Sequence, residues 1–153
     1  MEKSSKKVVL GGTFDILHKG HEALLKKAFS LGKVFIGLTS DSFAKKLKKR
    51  KVESFRKRKR ELENFIKKKF KKRAKIFKID DKFGPTLKKD FDYIVVSPET
   101  YKNAVEINKE RLKKKKKLIE IVEIDFVLAD DGKPISAERI AKGKIDREGR
   151  ILK

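Results

Sequence analysis

The chain has 153 residues and no cysteine, which fits one domain spanning 1–153 with a real core and excludes disulfides, thiolate chemistry and cysteine-ligated metals. Lysine and arginine number 44 against 22 acids, a formal charge of +22 that favours anionic partners, small phosphates as well as nucleic acid. No apolar run reaches membrane-spanning length and residues 1–7 carry no apolar signal core, so the expectation is a soluble cytoplasmic protein.

The first element is a short buried strand over 7–10, followed by a helix over 20–31 with Leu24, Ala28 and Leu31 on one face and Gly32 as its stop. A second strand, VFIGLT, covers 34–39, and a helix begins at about Asp41 with Phe43, Ala44 and Leu47. A mobile loop is expected around 50–55. The helix over 57–72 then carries a stripe of Leu62, Phe65, Ile66 and Phe70. A strand over 76–79 leads to a turn at Gly84-Pro85, and YIVV over 93–96 reads as a buried strand. Ser97-Pro98 then has the form of an N-cap with proline at the first helical position, opening a helix through Ala104, Ile107 and Leu112. A strand over 118–124, a tight turn at Asp131-Gly132 and a short helix over 136–142 stopped by Gly143 complete the chain. Short strands, apolar on both faces and alternating with helices, predict an α/β, Rossmann-like open parallel sheet with helices on both faces.

The stretch GGTFDILHKGH, Gly11 to His21, holds both histidines of the chain and directly follows the first strand. In an open parallel sheet, ligands bind beyond the carboxyl ends of the strands. Gly11 and Gly12 permit close backbone approach, and Thr13 offers a hydroxyl to an anion. His18 and His21 are three apart and can share one side of a first helical turn, with Gly20 leaving room for a flat base or ribose. The helix start adds free N–H groups and a positive dipole end that favour phosphate. A metal site of His18, His21 and Asp15 is an alternative, though the chain offers no further histidine to complete it.

This stretch resembles the signature of the nucleotidyltransferase superfamily with the His-x-Gly-His motif. With 36–41, GPTL at 84–87, 90–111 and the tail 131–146, the whole chain resembles the archaeal-type phosphopantetheine adenylyltransferases. The resemblance implies adenylyl transfer from ATP to 4′-phosphopantetheine, giving dephospho-coenzyme A and pyrophosphate, with Mg²⁺ entering with ATP. Coenzyme A and dephospho-coenzyme A are implied as product-like ligands. The resemblance assigns Thr13, Phe14, His18 and His21 to phosphate contact and catalysis, with Gly11, Gly12 and Gly20 beside them at the nucleotide. A substrate-phosphate lysine is expected at Lys45, or alternatively Lys46, with Arg58 as a further substrate contact. Ser97, Pro98, Glu99, Thr100, Asn108, Ser136 and Arg139 are expected at the nucleotide, and Arg111 is expected to share the helix face of Asn108. The tail departs from the family pattern: Ala137 and Glu138 stand where two hydroxyl residues are usual, and a carboxylate there would repel a triphosphate.

Two rivals share these features. Cytidylyltransferases, nicotinamide-nucleotide adenylyltransferases and FAD synthetases use the same first motif on other acceptors. A basic nucleic-acid binder on the same scaffold fits the charge, although the basic runs lack the interleaved aromatics that single-strand binding wants. The 43 % charged residues, the absence of glutamine and the single methionine also suit a very hot environment. Oligomeric state is left open.

Overall fold

Strand β1 (Lys7–Gly12) buries Val8 and Leu10 in one core and Val9 in another, so its alternation serves two helical layers rather than one. The computed structural model describes residues 6–152. The strands β2 (Lys33–Thr39), β3 (Lys75–Ile79), β4 (Tyr93–Val96) and β5 (Glu120–Glu123) join β1 in one all-parallel sheet of order β3-β2-β1-β4-β5. In β2, Val34, Ile36 and Leu38 join Val8 and Leu10; in β4, Ile94 and Val96 join Val9.

Helices α1 (Lys19–Leu31) and α3 (Phe55–Phe70) supply Leu25, Ala28, Leu62 and Ile66 to the first core. Helix α4 (Tyr101–Lys113) supplies Ala104 and Ile107 to the second. Helix α2 (Asp41–Leu47) follows β2, a 3₁₀ turn covers Gly84–Leu87, and α5 (Ala137–Ala141) lies in the tail. The tail has a small core of its own, Ala129, Ile135 and Ile145. Gly132, with φ +80°, closes a turn flanked by the Leu128–Pro134 antiparallel bridge. Among the described residues no helix is long and apolar enough to cross a membrane.

Three details depart from the sequence expectation. Phe55 opens α3 instead of closing the preceding loop, because Ser54 caps the helix through the Lys57 N–H. Ser97 is not an N-cap: the Ser97 N–H donates to Thr100 Oγ1 and the Thr100 N–H to the Ser97 carbonyl, making a turn that delays α4 to Tyr101. Leu112 is 65 % exposed, because Ile107 and Arg111 take the buried face of α4.

The chain leaves β1 toward β2 and β3, then returns across β1 to β4 and β5. The connections after β1 and β4 therefore diverge at the carboxyl edge of the sheet, where a crevice must open.

Candidate active site

The crevice is lined on one side by Gly11 to Asp15, His18 and His21, and on the other by Ser97, Glu99, Thr100, the stretch 124–127 and residues 135–138. Phe14 turns the chain into α1 with φ +47°, a left-handed conformation that costs a side chain about 1 kcal/mol or more. Burial of its ring, 3 % exposed and 5.0 Å from the His21 ring centroid, holds it there.

His18 caps α1. Its Nδ1 accepts the Gly20 N–H at 3.0 Å, while the His18 N–H donates to His21 Nδ1 at 3.2 Å. Two histidines thus form the reciprocal box that serine and glutamate usually make. Because Nδ1 accepts in both rings, both imidazoles are neutral and carry their proton on Nε2, the free edge. Burial pushes His18 down to about 4, and burial together with the neighbouring His18 pushes His21 down to about 3. The rings stack with centroids 3.9 Å apart. A Cβ on Gly20 would lie 2.7 Å from His18 Cε1, so the space above this glycine is filled by the His18 ring rather than left for a base or ribose.

Thr13 sits at the pocket floor, 7 % exposed, its hydroxyl accepting from Thr39 Oγ1 at 3.1 Å. Asp15 forms an ion pair with Arg50. Burial alone would push the Asp15 carboxyl up, and the Arg50 hydrogen bond and charge hold it below the usual range. Across the pocket, Glu138 Oε2 lies 3.3 Å from Lys48 Nζ and 3.4 Å from an Arg50 nitrogen. Partial burial raises Glu138, but Lys48 and Arg50 outweigh it and hold the carboxyl low. The Lys48–Arg50 loop therefore bridges the β1–α1 connection and the tail. Among the described residues Arg50 Nε has no hydrogen-bond partner, nor has the buried terminal nitrogen that is ion-paired with Glu138.

A second cavity of about 340 Å³ shares Gly11, Gly12, Val95, Glu99 and Thr100 with the first and is mainly apolar. Phe43, Leu47, Phe77, Ile79, Phe83 and Ile107 are among its walls.

The cytidylyltransferase-like family model matches residues 9–143. A protein of Methanosarcina barkeri described as phosphopantetheine adenylyltransferase is 49 % identical over 152 residues, covering 96 % of this chain and 93 % of the relative. The chain belongs to the phosphopantetheine adenylyltransferase family. A member from Archaeoglobus fulgidus is 45 % identical over 95 % of this chain and 99 % of its own. A solved structure from the same organism, described as a protein with unknown function, superposes with a TM-score of 0.75 at 41 % identity, covering 78 % of this chain and 89 % of that one.

For a member of this family, several expected site residues lie elsewhere. Lys45 and Lys46 are exposed on α2 and line neither cavity; Lys48, one residue past the helix, enters the first. Arg58 is fully buried and its five N–H groups go to the carbonyls of Glu53, Thr13 and Thr39, to Thr39 Oγ1 and to Asp41, leaving none for a substrate. Asn108 both donates to and accepts from the backbone of Ile119, at 2.8 and 2.9 Å. Arg111 is spent on Thr86, Lys89, Asp90 and Lys117. Both lie at the opposite edge of the sheet, because α4 starts at the carboxyl end of β4 and runs away from it. The Arg139 guanidinium turns from the pocket to Asp131 and the Pro134 carbonyl, while its N–H donates to Ser136 Oγ. Ser136 lines the pocket, as do Ser97, Glu99 and Thr100; Pro98 lies in the turn between them. Sequence reasoning missed Lys48, Arg50 and the wall formed by Asp125, Phe126 and Val127.

Proposed function

We propose that the chain transfers the adenylyl group of MgATP to 4′-phosphopantetheine, releasing pyrophosphate and forming dephospho-coenzyme A. The observation that carries this reading is the meeting of two cavities at Gly11 and Gly12, one holding both histidines, Thr13 and Lys48, the other mainly apolar. ATP occupies the first. The pantetheine arm, largely apolar with amide groups, occupies the second, and its phosphate reaches Thr13 at the junction.

An oxygen of the acceptor phosphate attacks the α-phosphorus of ATP in line. The bond from that phosphorus to the β-bridging oxygen breaks, and the electron pair leaves with pyrophosphate. No group of this chain becomes covalently bonded, so rate comes from placement and from donors aimed at developing charge. Thr13 donates to the acceptor phosphate. His18 and His21 donate through Nε2–H to ATP phosphate oxygens as neutral donors, and Lys48 supplies charge. The hydroxyl of Ser136 and the turn at Ser97, Glu99 and Thr100 border the nucleotide, with Phe14 and Gly20 fixing the two rings.

Among the described residues no group of three or more His, Cys, Asp or Glu could hold a metal ion; of the four carboxylates that line the pocket, Asp15 and Glu138 are ion-paired, and Glu99 and Asp125 border it as well. The donor set suits a Mg²⁺ held by phosphate oxygens and water.

Pyrophosphate release from MgATP, at elevated temperature and with a panel of acceptors, tests the reading. Release is expected with 4′-phosphopantetheine and not without it, and to collapse in His21→Ala. Turnover of a phosphorylated alcohol with CTP, or of nicotinamide mononucleotide or FMN, in place of 4′-phosphopantetheine would refute it.

A further inference from the structure

We propose that Thr39 and Arg58 are positioning residues that fix the direction in which the Thr13 hydroxyl donates, and so orient the acceptor phosphate. The proposal rests on the reading of Thr13 as the contact to that phosphate.

A guanidinium has five N–H donors and no acceptor. Arg58 Nε donates to the Glu53 carbonyl at 2.8 Å. One terminal nitrogen donates to the Thr13 carbonyl and to Thr39 Oγ1, each at 3.1 Å; the other donates to the Thr39 carbonyl at 2.9 Å and to Asp41 at 3.3 Å. All five are used, and the side chain is 0 % exposed. Thr39 Oγ1 must therefore accept from Arg58. Its one proton goes to Thr13 Oγ1, 3.1 Å away. Thr13 Oγ1 accepts on its buried side, and its own proton has only the cavity side to occupy.

That sense matters chemically. A fully ionised phosphate oxygen only accepts, so a hydroxyl presenting a lone pair would repel it. A free hydroxyl rotor would have to be reoriented each time substrate binds; one already accepting from Thr39 is set to donate before substrate arrives. The relay also ties the pocket floor to rigid elements: Thr39 is the last residue of β2, and Arg58 stands in the first turn of α3. Arg58 grips the Thr13 backbone as well, so the hydroxyl and the peptide that carries it are held by one group.

The test compares Thr13→Val, Thr39→Val, Thr39→Ala and Thr39→Ser by steady-state pyrophosphate release, varying acceptor and ATP separately, with a thermal melt of each. Thr39→Val and Thr39→Ala are expected to lose about tenfold in kcat with KM for ATP unmoved. Thr39→Ser, which keeps the hydroxyl, is expected within about twofold of the parent. A role confined to packing would lower the melting temperature of Thr39→Val and leave kcat intact while the variant is folded; that result overturns the relay. Thr13→Val at the parent rate would instead remove Thr13 from the reaction and overturn the reading beneath it. A slow Thr13→Val beside an unimpaired Thr39→Val removes the relay alone.

Discussion

Glu138 is the residue whose replacement should most directly raise affinity for ATP. Its carboxylate holds Lys48 at 3.3 Å and Arg50 at 3.4 Å at the wall of the histidine-bearing cavity. The Glu138 side chain is 49 % exposed and that of Lys48 27 %, so neither pair has the strength of a buried one. Partly exposed pairs contribute up to about 1 kcal/mol each, and some contribute nothing. A triphosphate entering the cavity must compete with this carboxylate for Lys48 and also meets its negative charge. Glu138→Gln keeps the shape and removes both effects, which together come to about 1 kcal/mol, or roughly fivefold in Kd. Calorimetric titration of ATP should therefore give a dissociation constant about fivefold lower for Glu138→Gln, with a smaller gain in a Lys48→Met background, where only the loss of repulsion is left. The gain should also shrink at 1 M salt, where the screening length falls to about 3 Å. Equal or weaker ATP binding by Glu138→Gln would refute the reasoning; weaker binding only with Mg²⁺ present would show the carboxylate serving the metal instead.

Three further outcomes follow from the same geometry. Lys48→Met should raise KM for ATP or acceptor about tenfold, whereas Lys45→Met and Lys46→Met should stay within about twofold, since only Lys48 reaches the cavity. The depressed histidines set the response to acid: the unfolded chain takes up protons at about 6.5, the folded one only near 4 and 3, so stability is lost as pH falls below about 6.5. Urea midpoints measured from pH 7 to 4 should fall, and His21→Asn should fall less steeply; a midpoint flat over this range would contradict neutral, buried rings. Arg111→Met, leaving the carbonyls of Thr86, Lys89 and Lys117 unpaired, should cost about 3 kcal/mol and lower the melting temperature by roughly 10 °C, while the folded variant keeps its kcat.

The fold was legible where local signals agree. Val8, Val9 and Leu10 are buried on both faces, as a central parallel strand requires, and the alternation of such runs with amphipathic helices leaves few other architectures. The two histidines were legible for the same reason: strand, turn and helix start lie within a few residues, so sequence spacing is spatial spacing. The start of α4 was not. Ser97-Pro98 has the composition of a cap, but the Thr100 hydroxyl accepts the Ser97 N–H and closes a turn first, a choice between two local hydrogen bonds that composition does not decide. The lysine that lines the crevice was hidden by abundance: between Lys45 and Lys51 the sequence repeats one charge, and the end of α2 at Leu47 places Lys48 at the cavity.

The misread arginines carried a signal that periodicity could have caught. Arg58 precedes Leu62 and Ile66 by four and eight residues, and Arg111 follows Ala104 and Ile107 by seven and four. Each therefore falls on the buried stripe of its helix, not on the solvated face where a ligand would meet it. An arginine on such a stripe must find acceptors for its whole fork inside the protein, and the acceptors available there are the carbonyls of loops that leave strands. Where on the helix it stands then decides what it can do. Arg58, in the first turn of a helix that starts beside the carboxyl edge, reaches the Thr13 and Thr39 carbonyls and so supports the site. Arg111, ten residues into α4 and about 15 Å along it, reaches only the loops at the opposite edge. Two arginines of nearly equal burial thus differ in reach through their position along helices that run the same way, and the kinetic separation of Thr39 variants from Arg111→Met follows from that difference.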